Sequence, residues 1–329
     1  MRDWLVAADD RTGAFEVAAL IAQVVGPVSV TVRAPSGSGV VDIGSRLLPA
    51  GEAARVAAAV DQSTSTWVAH KIDSTLRGNW PAEVLARQQA TGRRVVLLPG
   101  WPEMGRTCVG GVVFADGTPI GDIRDQLPEV ELVADADALR VWLAGTGATV
   151  ACDVANTEAM VAAAQVLADF DVLVVGPAGS IGAAFAARHP TRRSTRTERV
   201  VTPVIVVCGS AHPATREQIQ QLQAARPDVE VIATAAPDGE LQPAAVADLA
   251  VRAQERIKQA QPRTVVIIGG ETVAAVLGDS PRMVSGFAAL GMPYSRDTNG
   301  LGPPVITKAG GFGGPQALVE LLGGKNGIR

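Results

Sequence analysis

The chain has 329 residues, 47% of them hydrophobic and 19% charged, which is enough apolar side chain to fill two ordinary cores and argues against a disordered chain. Its 29 basic and 33 acidic residues leave a net charge of −4, too weak a field to gather a polyanion, so nucleic acid is not expected as a partner. Cys108, Cys152 and Cys208 are far apart and form no Cys-x-x-Cys pair, which argues against a disulfide framework or structural zinc and for reduced thiols.

Met1 leads almost directly into the apolar run 4–8 and then Asp9 and Asp10, which fits no signal-peptide core. No apolar run approaches the ~20 residues of a membrane span, and a cytoplasmic protein is expected. Strands are expected at 4–8, 28–32, 66–71, 95–98, 149–152, 172–176, 204–208, 229–232 and 264–268. Alanine-rich stretches with helical spacing at 14–24, 53–60, 81–89, 157–168 and 244–260 fall between most of them. This alternation predicts an α/β fold in which mostly parallel sheets are flanked by helices. The exception is 110–120, where Asp116-Gly117 between two apolar pieces predicts a hairpin. A break in the pattern at 189–202, carrying Pro190, Arg192, Arg193, Arg196 and Arg199, reads as a solvated connection between two domains, 1–200 and 201–329.

Ligands of open α/β sheets bind at the carboxyl ends of the strands, and those ends are unusually polar here. The first leads into Asp9-Asp10-Arg11-Thr12-Gly13, two adjacent carboxylates that also suit a helix N-cap. The strand at 66–71 leads into Lys71-Ile72-Asp73-Ser74-Thr75-Leu76-Arg77-Gly78-Asn79, where capping accounts for Asp73 or Ser74 but leaves Lys71 and Arg77 without a role. Lysine occurs only at 71, 258, 308 and 325, so Lys71 and Lys308, both in loop motifs, suggest donors to phosphate or carboxylate.

In the second half, Gly209-Ser210 follows 204–208, Gly269-Gly270-Glu271-Thr272 follows 264–268, and Lys308 opens Ala309-Gly310-Gly311-Phe312-Gly313. Each alone is an ordinary turn. Together they favour a phosphate-bearing nucleotide held by backbone N–H groups. A P-loop, a dinucleotide fingerprint after the first strand and a Gly-x-Ser-x-Gly elbow are all missing from the sequence. Of the three histidines, His70 reads as a satisfied core residue and His189 as surface, while His212, near Ser210, is the one placed for chemistry.

Ala8-Asp9-Asp10-x-Thr12-Gly13-Ala14, the Lys71–Asn79 segment, Gly105-Arg106-Thr107, Gly209-Ser210, Gly269–Thr272 and Lys308-x-Gly310-Gly311-Phe312-Gly313 together resemble the four-carbon acid sugar kinase family. The resemblance runs over nearly the whole chain, and Lys-Ile-Asp-Ser-Thr-Leu-Arg-Gly-Asn is its most specific part. It implies an N-terminal sugar-acid-binding domain and a C-terminal nucleotide-binding domain that close on each other to phosphorylate a tetronate such as threonate, erythronate or 3-oxo-tetronate. On this resemblance Asp9, Asp10, Lys71, Asp73, Ser74 and Arg77 face the acid, with Asp10 or Asp73 as base and Arg77 on the substrate carboxylate. Ser210, Gly269, Gly270, Glu271, Thr272, Lys308, Gly310 and Gly311 face ATP, and Mg2+ bridges its phosphates. Asp153 and the turn Gly176–Ser180 also stand where the family has a strand-end Asp and a glycine-rich turn.

The chain departs from the family in its shorter length, in Phe15-Glu16 where a further Asp is usual, in Arg11, and in Ala309 in place of Ser. A non-catalytic sugar-acid or nucleotide sensor is the alternative, disfavoured because both sets of motifs are retained, and a dehydrogenase is disfavoured by the missing fingerprint. The metal ligands, the particular acid and the oligomeric state stay open.

Overall fold

Strand and helix alternate along the whole chain in the computed structural model, which describes residues 2–35, 37–61, 65–190, 198–234 and 243–323. The chain divides into two units, Met1–Ser194 and Thr195–Arg329. In chain order the first unit runs β1 (Arg2–Ala8), α1 (Arg11–Val25), β2 (Val28–Val32), β3 (Gly39–Asp42), α2 (Ala50–Ala59), β4 (Ser65–Lys71), α3 (Trp80–Thr91) and β5 (Arg94–Leu97). It continues through β6 (Arg106–Val109), β7 (Val112–Ala115), β8 (Thr118–Asp122), α4 (Ile123–Gln126), β9 (Glu131–Val133), α5 (Ala136–Ala144), β10 (Thr149–Cys152), α6 (Thr157–Leu167), β11 (Val172–Gly176) and α7 (Ala178–Arg188).

Its main sheet has the order β2-β3-β1-β4-β11-β5-β10-β9, and every pair is parallel. Helices cover such a sheet on both faces, so its strands are apolar along their length rather than alternating; β11 and β10 are buried at every residue. Leu5, Val68, Leu97, Leu173 and Val175 meet Ile72, Trp80 and Ile123 in one core. The expected hairpin is present as β7 and β8, joined through Asp116 (φ 49°) and Gly117 (φ 81°), the left-handed pair that a two-residue hairpin turn needs. β6 adds a third antiparallel strand.

His70 is buried, as expected, with Nε2 2.8 Å from Glu83 Oε2. His189, expected on the surface, is half-buried and stacks on Phe185 at 4.1 Å, because the last turn of α7 turns its ring onto the aromatic group of Trp4, Trp67 and Phe185. Residues 191–197 of the expected connection, with Arg192, Arg193 and Arg196, lie outside the described residues.

The second unit runs β12 (Val204–Cys208), α8 (Pro213–Ala225), β13 (Glu230–Ala233), α9 (Pro243–Ala260), β14 (Thr264–Ile268), α10 (Gly270–Leu277), β15 (Arg282–Ala289), β16 (Met292–Asp297), β17 (Val305–Lys308) and α11 (Ala317–Leu321). Its strand order is β13-β12-β14-β17-β16-β15. The first four strands are parallel, whereas β16 runs antiparallel to both β17 and β15. Val206, Cys208, Val266, Ile268, Tyr294, Ile306 and Leu318 form its core. All three cysteines are buried thiols. Among the described residues no helix is long and apolar enough to cross a membrane.

Candidate functional site

In the first unit, register puts the ends of four strands in one row: Asp42 of β3 beside Ala8 of β1, Ala8 beside Lys71 of β4, and Lys71 beside Gly176 of β11. The chain leaves β1 toward β2 and β3 on one side and returns to β4 on the other, so the ends of β1 and β4 flank a topological switch point. Asp9 and Asp10 follow the first of these ends; Lys71 and Asp73 belong to the second.

Asp10 is the N-cap of α1, with extended backbone (φ −143°, ψ 162°) and a carboxylate that accepts from the N–H of Gly13 at 3.1 Å. It is also an ionic partner. Lys71 Nζ donates to Asp9 Oδ1 at 3.3 Å and to Asp10 Oδ1 at 3.0 Å. A Cβ at residue 13 would overlap the Lys71 ammonium, so only glycine lets that side chain lie against the first turn of α1. Arg46, in the loop after β3, donates through Nε to Asp9 Oδ2 at 2.9 Å and through Nη2 to Asp10 Oδ1 at 2.8 Å, and stands 3.6 Å from Asp73 Oδ1. Arg77 closes a bidentate pair on Asp73, 2.8 Å from Nε and 3.0 Å from Nη2. Asp73 also accepts from the Thr75 N–H at 3.2 Å, which fixes its turn. Ser74 lies on that turn, and among the described residues its hydroxyl takes no part in the cluster's hydrogen bonds.

Three carboxylates therefore face three cations. Burial pushes Asp10 up, but Lys71, Arg46 and the Thr12 hydroxyl outweigh it and hold its carboxyl far below the usual range. Burial likewise raises Asp73, and Arg77 with Arg46 more than reverses that. Asp9 is more fully enclosed, and there burial wins over Lys71 and Arg46 and its carboxyl moves up. Lys71 is driven above its ordinary value because Asp10 and Asp9 overcome its own burial. Glu16, one helical turn beyond Thr12, is pushed up to about 7 by burial and by the charges of Asp10 and Asp73, against the pull of Lys71.

In the second unit the strand ends Cys208, Ile268 and Lys308 are also level, Cys208 beside Ile268 and Ile268 beside Lys308. The switch point lies between β12 and β14, so Ser210 and the start of α10 flank it. Gly269, at φ 100°, donates its N–H to the Lys308 carbonyl at 2.9 Å. The three turns touch: a Cβ on Gly209 would meet the Thr272 hydroxyl, and one on Gly310 would meet the Ser210 hydroxyl. The Thr215 hydroxyl donates to the Gly310 carbonyl, and Gln218 Nε2 donates to the carbonyls of Phe312, Gly313 and Gly314 at 3.0, 2.7 and 3.0 Å. Side chains of α8 thus take up the carbonyls of the glycine loop.

Gly270 and Thr272 are in the first turn of α10, and Gly311 passes close to the His212 ring. Glu271 is exposed, whereas Lys308 is wholly buried and donates from Nζ to the Ala309 carbonyl at 2.9 Å. His212 is the N-cap of α8, accepting at Nδ1 from the Ala214 N–H at 3.3 Å.

Among the described residues no group of three His, Cys, Asp or Glu side chains is arranged to hold a metal ion. The oxygens of Asp9, Asp10 and Asp73 point at ammonium and guanidinium groups instead. A protein-held Mg2+ does not fit this cluster.

Residues 4–124 match the family of sugar-binding N-terminal domains. The chain is similar to three D-threonate kinases: it is 32% identical to that of Cupriavidus necator over 224 residues, 29% to that of Bordetella bronchiseptica and 25% to that of Salmonella typhimurium. The chain belongs to the four-carbon acid sugar kinase family. The match takes in 56% of this chain and 53% of the Cupriavidus family member, so the chain spans about half of that relative. It takes in 76% of both chains for Bordetella and 97% of both for Salmonella. Solved structures agree in fold. A Haemophilus influenzae protein of the DUF1537 family has a TM-score of 0.71 at 19% identity, covering 97% of this chain and 99% of its own. A Bordetella bronchiseptica DUF1537 domain, solved as a domain-swapped dimer with bound citrate, has a TM-score of 0.51 at 23% identity, covering 97% and 96%.

Within this family member, sequence reasoning passed over Arg46, Thr12, Thr215 and Gln218. Nothing marks Arg46 in a chain that uses arginine for most of its positive charge, and its partner Asp10 lies 36 residues away. Asp153 holds the β6–β7 turn, accepting from the N–H groups of Gly110 at 2.6 Å and Gly111 at 3.2 Å. Ser180 donates to the Gly100 carbonyl at 2.5 Å.

Proposed function

We propose that the chain is a sugar-acid kinase that transfers the terminal phosphoryl group of ATP to a hydroxyl of a four-carbon acid, with the acid on the first unit and the nucleotide on the second. The observation that carries this reading is the Asp9–Asp10–Lys71–Arg46–Asp73–Arg77 cluster at a switch point, in a chain similar to D-threonate kinases. Phosphoryl transfer needs mainly positioning and charge stabilisation, with modest help from a base.

Arg77 is the most exposed cation of the cluster, with 69% of its side chain accessible, and its planar fork suits a carboxylate. In this reading it leaves Asp73 for the carboxylate of the acid. That exchange removes the hydrogen bond that most strongly lowers Asp73, so Asp73 gains basicity when substrate arrives and accepts the proton of the attacking hydroxyl. Asp10 stays pinned by Lys71, Arg46 and Gly13 and orients that hydroxyl, while Asp9 anchors the two cations from beneath. The N–H groups of the Gly269–Thr272 and Gly310–Gly311 turns receive the phosphates, and Mg2+ enters with ATP as part of that substrate.

The test is ADP release from MgATP across D- and L-threonate, D- and L-erythronate and the 3-oxo-tetronates. Turnover on one acid, with a KM for that acid raised by Arg77→Ala, supports the assignment. Silence on every acid contradicts it.

A further inference from the structure

Asn79 stands at the N-cap of α3, a place where asparagine ordinarily turns its side-chain oxygen back to the first N–H groups of the helix. It does not do so here: the backbone is at φ −101°, ψ 22°, with no side-chain cap bond. Its carboxamide nitrogen instead donates across 31 residues to the Leu48 carbonyl at 2.7 Å, with the carbonyls of Ser45 and Arg46 at 3.3 and 3.4 Å. Gly78, at φ 91°, brings this corner against the same loop; a Cβ there would meet Arg46 Cγ at 3.2 Å. The loop held in this way carries Arg46, the one side chain that reaches Asp9, Asp10 and Asp73 together. Serine and aspartate would cap α3 as well as asparagine does, but neither offers an NH2 group at this reach.

We infer that Asn79 is a positioning residue: its carboxamide fixes the 45–48 loop so that the Arg46 guanidinium lies across the three aspartates in the geometry that receives the acid. This rests on the sugar-acid reading of the cluster. Asn79 touches neither the acid nor the nucleotide and acts only through Arg46.

The decisive variant is Asn79→Ser, which keeps a capping side chain and adds no charge but cannot reach the loop. In the full-length protein its KM for the acid should rise roughly tenfold, with kcat and the KM for ATP changed less than about twofold, a split that general destabilisation would not produce. Adding Asn79→Ser to Arg46→Ala should cost nothing beyond Arg46→Ala alone, because both remove the same contact. Hydrogen exchange in a peptide covering 43–48 should quicken in Asn79→Ser while the peptide covering α3 stays protected. An unchanged KM for the acid, or penalties that multiply in the double variant, overturns the inference. If the wild type turns over no tetronate, the sugar-acid reading has failed and the exchange experiment judges the clamp by itself: quickened exchange at 43–48 supports it, and unchanged protection overturns it.

Discussion

The two units place their candidate sites at equivalent points, a switch between neighbouring parallel strands, yet furnish them with opposite chemistry. In the first unit the work falls to ionised side chains, Asp9, Asp10 and Asp73 against Lys71, Arg46 and Arg77, most of them removed from water. In the second it falls to backbone, with Gly269, Gly310 and Gly311 exposing main chain while Thr215 and Gln218 tie down the carbonyls behind it. Buried charges fix direction and stereochemistry but are costly to leave unpaired. Backbone N–H groups at helix starts accept any suitably shaped phosphate and cost little to keep. A site that must tell one small acid from another fits the first solution, and a site for a common phosphate donor fits the second.

Breaking the charge balance of the first unit should have the largest effect. Lys71→Ala leaves Asp9 and Asp10 buried with Arg46 as their main counter-charge, and removal of one partner from a buried ionic group costs about 3–5 kcal/mol. Urea denaturation should show a loss of this size, well beyond that of any substitution at the glycine turns. Asp73→Asn should lower kcat by roughly 10²–10⁴-fold with the KM for ATP little changed, since it removes the proposed proton acceptor; full turnover would remove Asp73 from that role. Gln218→Ala, which leaves three carbonyls of the glycine loop without their donor, should weaken ATP binding by about 1–3 kcal/mol and leave acid affinity intact. Calorimetric titration with each ligand measures that split.

The smallest effect is a pH dependence. Glu16 has its carboxyl raised to about 7, above the 4.5 of an unhindered glutamate. The folded protein therefore holds a proton there that the unfolded chain releases, and stability falls as pH rises from about 4.5 through about 7. Glu16→Gln should flatten the fall in melting temperature over that window. Asp10 and Asp73 act with the opposite sign: their lowered carboxyls stabilise the fold above the ordinary aspartate range, and that contribution disappears only in strong acid.

Much of the fold was legible because buried parallel strands are continuous apolar runs. The expected strands at 28–32, 149–152, 172–176, 204–208 and 264–268 coincide with β2, β10, β11, β12 and β14. β3 escaped because four residues after Ser-Gly-Ser look like a turn. β16 escaped because Pro293, Arg296 and Asp297 interrupt any strand pattern. At the acid cluster, capping and ionic pairing proved to be one arrangement rather than competitors, since Asp10 does both. Arg46 stayed hidden because a pairing between the loops after β1 and β3 is a property of the sheet order. Lys308 shows the reverse limit: a scarce lysine in a loop motif pointed to an anion donor, yet its ammonium lies buried on the Ala309 carbonyl.

The division of labour between the two units is the central claim, and titration calorimetry with the accepted tetronate and with MgATP tests it most directly on wild type, Arg77→Ala and Gly310→Ala. The account predicts that Arg77→Ala loses affinity for the acid alone. Gly310→Ala, whose new methyl group would meet the Ser210 hydroxyl, should lose affinity for the nucleotide alone. Loss of both ligands in either variant, or loss of the nucleotide in Arg77→Ala, would contradict it.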